Sequence, residues 1–408
     1  MSSSRASLLV IFLTVFIDLL GFGMVLPLLP IYAKQFSATG MTIGLLMSSF
    51  SAMQFLFAPL WGRLSDRIGR RPVLIVGLAG SVVFYALFGY ATVLKSLTLM
   101  FVARIGAGIA GATISTAQAY IADCTTKENR AKGMALVGAA FGIGFTFGPL
   151  FGYLAVPTGT GDPGPGPGYA AAALSAVALL LAIFKLPESL TAENASTTQH
   201  ERRGWFNLTL LRDALSIPSI GLLLLANFLC VFSFANFEST LSLIIKDENG
   251  AFRFSFREVC LTFAYIGLML TLVQGGLVRR LSGRVPEGKL AVAGSIGEII
   301  GLLLLWQASR SYSLTVLLIA LAVTVGGFAF LTPSINSLLS RRSDPAKQGG
   351  VLGVGQSVSA LARILGPAIG IPLSQQSASY PLLLAVGVMV LGTVLLAAAA
   401  KSGRDFET

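Results

Sequence analysis

Residues Gly62 to Pro72 read Gly-Arg-Leu-Ser-Asp-Arg-Ile-Gly-Arg-Arg-Pro. Four arginines (Arg63, Arg67, Arg70 and Arg71) and one aspartate (Asp66) stand in a hairpin too short to fold alone. Long apolar runs flank it on both sides, so it reads as a loop at a membrane surface. Gly62 and Gly69 permit a tight turn. Asp66 can receive Arg67 or Arg70, or sit at a helix N-terminus where the dipole favours an anion. An anchor that only sets orientation needs neither the aspartate nor the glycines.

Working outward, the 408 residues are 54% hydrophobic and 12% charged. Soluble domains carry about 25% charge, so a soluble enzyme is excluded, and disorder is excluded by the same apolar excess. Apolar stretches fall at 7–33, 42–61, 73–93, 97–122, 133–156, 169–186, 217–245, 257–278, 289–309, 312–339, 349–374 and 378–400. At ~20–22 residues per span these leave only short loops. The predicted fold class is an all-α polytopic membrane protein with twelve transmembrane helices. Cys124, Cys230 and Cys260 show no paired spacing, so no disulfide framework or zinc site is expected. The first apolar run is too long for a signal-peptide core and is expected to stay.

In a soluble protein the formal charge of +11 would suggest nucleic acid. Here the basic residues mark one membrane face, and no nucleic-acid partner is expected. Of the 29 Lys and Arg, 21 fall on the side of both termini and six on the other, while Arg104 and Arg363 lie inside spans. The bias predicts cytoplasmic termini, in the cell's inner membrane.

The stretch 187–216 divides the chain into an N-terminal half, 1–186, and a C-terminal half, 217–408, with six spans each. It holds His200, the sequons at Asn194 and Asn207, which face the unglycosylated side, and Trp205 to Leu211, readable as a short interfacial helix or as plain linker. The halves echo each other. Gly148-Pro149-x-x-Gly152 returns as Gly366-Pro367-x-x-Gly370, Arg130-Ala-Lys132-Gly133 as Lys347-Gln-Gly349-Gly350, and the Gly62 hairpin as Gly276-x-x-x-Arg280-x-x-Gly283-Arg284. Parallel six-span halves around a midplane site are a transporter architecture.

Charges inside spans are costly and mark function. Arg104 shares a helix face with Gly108, Gly111 and Ser115, and must point to the interior or to water. Gly106-x-Gly108-x-x-Gly111 formally matches a dinucleotide fingerprint, but it lies mid-span with no strand before it. Span 5 sets Ala140, Gly144, Gly148 and Gly152 at four-residue spacing around Pro149, which suits close packing and a bendable helix. Taking a carboxyl out of water favours its neutral form, so Asp18, Glu238 and Glu298 are the proton-carrying candidates. Structural pairing with an arginine is the alternative. At 1.5 Å per residue from the terminal side, Asp18 lies at ~16 Å, Glu298 at ~14 Å, Arg363 at ~22 Å and Glu238 at ~30 Å. Arg363 is therefore expected to pair with Glu238 more readily than with Glu298. Gln54, Asn227, Asn236, Gln274, Asn336 and Gln356 offer neutral hydrogen bonds, as cavity lining or as interhelical glue.

On these residues the chain resembles the major facilitator superfamily along its whole length, and within it the twelve-span drug:proton antiporters of the tetracycline-efflux type. The shared stretches are Gln54 to Asp66, Arg104-x-x-x-Gly108-x-x-Gly111-Ala112, Ala119-Tyr-Ile-Ala-Asp123 and Gly144-x-x-x-Gly148-Pro149. The resemblance implies alternating access between two six-helix halves. It implies a latch in which Asp66 binds the facing half near the start of span 11 and Arg70 pairs with Asp123. Arg104 then belongs to the proton-transfer motif, and Gly144, Gly148, Pro149 and Gly152 to the helix that separates antiporters from symporters. Tyr153 stands where a further glycine is usual. Acidic residues in spans 1 and 9 occur in such antiporters, which favours Asp18 and Glu298, whereas one at Glu238 is less usual.

The expected function is proton-coupled export of amphipathic small molecules or drugs. It needs no cofactor beyond the proton as coupling ion and no partner beyond substrate, protons and the lipid bilayer, and the fold class requires no oligomer, so a monomer is expected. The alternative is an importer or facilitator of organic anions or sugars, with Arg104 and Arg363 as anion clamps. An ATPase is excluded for want of a Walker pattern.

Overall fold

The computed structural model describes residues 2–125, 130–157, 162–190, 218–247, 250–343 and 348–402. The interfacial helix expected at Trp205–Leu211, both sequons, His200 and the loop cations Lys127, Arg202, Arg203, Arg212, Lys347 and Arg404 lie outside the described residues. Within them the backbone is helical, with one isolated bridge between Ser282 and Val285. Among the described residues, eleven helices are long and apolar enough to cross a membrane. The twelfth expected span is the helix Arg130–Ala155. Helices dominate because hydrocarbon offers backbone groups no partner but one another.

Span 1 is α1 (Ser2–Val25) and α2 (Leu29–Gln35). Pro27 and Pro30 explain the break: each lacks an N–H and clashes with the preceding turn, and Pro30 opens α2. Spans 2 and 3 are α3 (Gly40–Ile68) and α4 (Arg70–Val93). Span 4 is α5 (Leu97–Gly111) and α6 (Ile114–Asp123), followed by α7 (Arg130–Ala155) and α8 (Gly166–Lys185). Then come α9 (Pro218–Lys246) and α10 (Phe256–Leu272), which continues through a π-helical turn, Val273–Val278, and a last turn, Arg279–Leu281. The final spans are α11 (Glu287–Ser311), α12 (Leu314–Arg342), α13 (Gln348–Gln376) and α14 (Ser379–Ser402).

The chain forms two compact units. One comprises Met1–Ala38, Ser49–Trp205 and Phe256–Gly267, the other Thr39–Ser48, Phe206–Ser255 and Leu268–Thr408. Each unit thus takes the leading end of one helix from the other sequence half.

In the first unit α7 crosses α1 through glycines. A Cβ on Gly148 would meet Gly23 Cα at 2.8 Å, and one on Gly144 would meet Leu19 Cβ at 2.9 Å. On another side of α7, a Cβ on Gly267 of α10 would meet Phe145 O at 2.5 Å. In the second unit the matching glycine does the same work, since a Cβ on Gly366 of α13 would meet Ala235 Cβ and Asn236 N of α9 at 2.9 Å. The leading end of α3 also docks on α13, where Gly44 sits against Pro367 O and Ser48 Oγ donates to Ile364 O at 2.5 Å. The Gly-Pro-x-x-Gly echo is therefore one packing device used twice, the fifth helix of each half laid on the first.

Gly148→Leu is expected to destabilise the protein by about 1–3 kcal/mol through overpacking. Gly387→Ala, which meets nothing within 4 Å, should leave stability unchanged. Thermal melting in detergent reads both, and equal melting of the two variants would contradict the contact.

Candidate functional site

The hairpin read first from the sequence closes a polar corner of the first unit. Gly69, at φ +105°, makes the turn between α3 and α4. Gly62 does not turn the chain, contrary to expectation; it lies inside α3, which runs on to Ile68 because its last turn finds side-chain partners. Ser65 Oγ donates to Gly62 O at 2.7 Å and accepts from Arg70 Nη1 at 2.7 Å. Asp66 sits in that last turn rather than at a helix N-terminus, and it receives Arg70. Arg67 is exposed. The buried Arg70 also reaches Asp123 at the end of α6, Nε to Oδ2 3.2 Å.

One acid of this corner escaped the sequence reading. Glu188, just past α8, accepts the backbone N–H of Arg70 (2.8 Å), Arg71 (3.1 Å), Ser189 (2.9 Å) and Leu190 (3.0 Å). It thereby caps two of the orphan donors of α4 and places a negative charge at that helix's positive end. Ser189 Oγ donates to Asp123 Oδ2 at 3.1 Å, Arg71 Nη2 to Ile183 O at 2.7 Å, and Tyr120 Oη to Pro187 O at 3.0 Å. Asp66, Asp123 and Glu188 thus tie the ends of α3, α4, α6 and α8 together. The signal available beforehand was an acid beside a span end in a chain with only 18 acids.

Deeper in the same unit, Arg104 of α5 is 2% exposed, with Nε and Nη1 lacking hydrogen-bond partners. Its guanidinium lies over the rings of Phe50, at 4.5 Å, and Phe22, at 5.9 Å. Phe22 meets Phe50 and, edge-on, Phe145. Such an aromatic surround holds a cation where water is scarce. Asp18 of α1 is half-buried and accepts from Ser175 Oγ at 3.0 Å. Tyr85 of α4 stands in electrostatic reach of both Asp18 and Arg104. Ionising Asp18 would place a negative charge within reach of Tyr85, which Arg104 also reaches.

Span 4 breaks at Ala112–Thr113, just beyond the arginine's face. Side chains of α3 satisfy carbonyls near the break. Trp61 Nε1 donates to Ile109 O at 2.7 Å, Gln54 Nε2 to Gly111 O at 3.2 Å, and Gly108 packs against Phe50 O.

In the second unit, Glu238 of α9 is half-buried and Arg363 of α13 is exposed, and the two interact electrostatically without a direct ion pair among the described residues. A mid-span cation costs ~2.5–3.5 kcal/mol against lipid, so a lipid-facing position for Arg363 is disfavoured. Glu298 of α11 is set apart. It is fully buried at the crossing with α12, where a Cβ on Gly327 would meet Glu298 N at 2.5 Å, and neither carboxyl oxygen has a hydrogen-bond partner.

The neutral candidates separate. Asn227 donates to Ser359 Oγ at 2.8 Å, Asn236 to Pro381 O at 3.1 Å, and Gln54 to Gly111 O, so these three join helices. Gln274, in the π-helical turn, and Gln356 are exposed, and Asn336 is half-buried. Of the span 5 ladder, Gly144 and Gly148 press on α1, and Gly152 lies 3.3 Å, at its built Cβ, from Met24 Cγ; Pro149 is buried inside α7.

Paired helical repeats with charges inside their spans define a multi-pass integral membrane transporter, not an enzyme. Residues 11–367 match the family model described as Major Facilitator Superfamily, and the chain belongs to that family. It is 32% identical over 379 residues to the class C tetracycline resistance protein of Escherichia coli, covering 92% of this chain and 91% of that one. It is 28% identical to multidrug resistance protein 2 of Bacillus subtilis, covering 96% and 94%. The crystal structure of the human organic anion transporter MFSD10 superposes with a TM-score of 0.71 at 28% identity, covering 96% and 99%.

Glu188→Ala strips an acceptor from four backbone donors and is expected to destabilise by about 0.5–2 kcal/mol, as loss of a helix cap does, with Glu188→Gln, which keeps one oxygen, losing less. Melting curves of the two variants decide it. For the second unit, Glu238→Arg and Arg363→Glu should each abolish transport, and the double charge swap should restore part of it. A swap as inactive as either single variant would sink the pairing.

Proposed function

We propose that the protein is a proton-coupled antiporter that exports amphipathic small molecules of the tetracycline-like kind by alternating access. The observation that carries this reading is the Asp18–Tyr85–Arg104 group inside the first unit. A carboxyl that is neutral when protonated and negative when ionised changes the local charge by one unit, and Tyr85 feels both that carboxyl and Arg104. A change of that kind biases a two-state equilibrium only through a difference in interaction between the states, and we assign that difference to the polar link from Asp18 through Tyr85 toward Arg104. The tetracycline and multidrug resistance relatives support the substrate class, and Gln274, Asn336 and Gln356 are then candidates to meet it. The proton is the coupling ion, no other cofactor takes part, and a single chain suffices. The excess of basic residues at one face supports cytoplasmic termini in the cell's inner membrane, and Asp66, Arg70 and Asp123 serve as the latch at that face.

A second reading, carriage of organic anions, is favoured by Arg363, exposed at mid-span, and by the likeness to the organic anion transporter.

Inside-out vesicles with an acidified interior and a quenched pH dye separate the two. Tetracycline or a cationic amphiphile is expected to dequench the dye as protons leave in exchange, and Asp18→Asn should lose the response. Vesicles that hold their gradient yet respond to no compound would overturn antiport. Uptake of a labelled organic anion, lost in Arg363→Gln, would then establish the second reading.

A further inference from the structure

The two units have the same corner and fill it with opposite charge. In the first unit the turn at Gly69 is packed by carboxylates: Asp66 and Asp123 take Arg70, and Glu188 caps α4. In the second unit the equivalent turn is Gly283, again at positive φ (+80°), with nothing within 4 Å of its built Cβ. Arg280 stands in the place of Asp66. Arg341 and Arg342, ending α12, stand in the place of Asp123, which ends α6. Where the first unit has its acids, the second has a cavity of about 510 Å³. Among the described residues its charged lining is Arg284, Lys289, Arg341, Arg342 and Glu287. Glu287 is already engaged by Arg341, at 3.1 and 3.0 Å. Arg342 is 6% exposed and is held in place by its bond from Nη1 to Ala399 O, 2.9 Å.

We propose that this cavity binds the phosphate of an anionic phospholipid headgroup, which supplies to the second unit the negative charge that Asp66, Asp123 and Glu188 supply to the first. The volume suits a headgroup rather than a lone ion. The cavity opens where membrane-spanning helices end, at the level of lipid phosphates, and basic pockets between helix ends are a known mode of headgroup recognition. Arg342 and Arg284 bring guanidinium groups, whose planar donors match phosphate oxygens, and Leu338 supplies an apolar wall for the glycerol. The proposal is independent of substrate and of coupling.

The test uses the full-length protein in a neutral detergent, with phosphatidylglycerol, phosphatidylcholine of the same acyl chains, and inorganic phosphate as probes. Phosphatidylglycerol at tenfold excess over its Kd should raise the melting temperature by about 2 °C. Phosphatidylcholine should not. Arg284→Gln with Lys289→Gln, both exposed side chains, should melt like the parent without lipid and lose the shift. No shift, an equal shift from phosphatidylcholine, or an undiminished shift in the double variant each overturns the proposal. An equal shift from inorganic phosphate at the same concentration overturns the lipid assignment. Native mass spectra give a second reading that does not depend on melting: one phosphatidylglycerol should remain on the parent and be absent from the double variant, and a bare parent overturns the site.

Discussion

Helices inside a bilayer gain little from pressing apolar faces together, because the lipid they leave is as apolar as the neighbour they meet. Association then rests on van der Waals contact, and that contact is best where backbones come closest. Gly23 with Gly148 in one unit and Gly366 with Ala235 in the other are such places. A side chain at either crossing would hold the helices apart and loosen every contact beyond it. The positions of Asp18 on α1 and of Glu238 on α9 follow from these crossings, since each sits within a turn or two of the pinch.

The same solvent makes irregular backbone expensive, so each break must be supported. Span 4 bends beside Gly111, and the indole of Trp61 and the amide of Gln54 come across from α3 to the carbonyls there. The turn at Gly69 has Glu188. The π-helical turn at Val273–Val278 has Gly275 and Gly276, which crowd nothing. A residue that reads from composition as cavity lining can therefore serve as backbone support, as Gln54 does.

Most of the fold was legible because its governing quantity, apolar length, is written along the chain. Span edges were less so: α3 outruns its apolar stretch by about two turns because Ser65 and Asp66 find partners that hydropathy does not register. In the site, Arg104, Asp18 and the pairing of Arg70 with Asp123 were reachable from charge cost or from family resemblance. That Arg363 lies in electrostatic reach of Glu238 was expected from helical rise alone. Glu188 carried only the weak mark of an acid beside a span end, because half of its work is done through the backbone N–H groups of Arg70 and Arg71, brought to it by another span. Gly62 misled for a related reason: glycine permits a turn without requiring one.

The break in span 4 also bears on how force is carried. Arg104 lies on α5 and Asp123 on α6, with Ala112–Thr113 between them. A continuous helix would transmit a push at the arginine to the membrane face as a stiff rod does. This one is two rods with a compliant joint, and Trp61 and Gln54 act as its springs. Displacement at the caged cation is then partly absorbed as rotation at the joint, and the stiffness of that joint, set in part by the hydrogen bonds that Trp61, Gln54 and Ser115 make between α3 and span 4, governs how much reaches the Arg70–Asp123 pair.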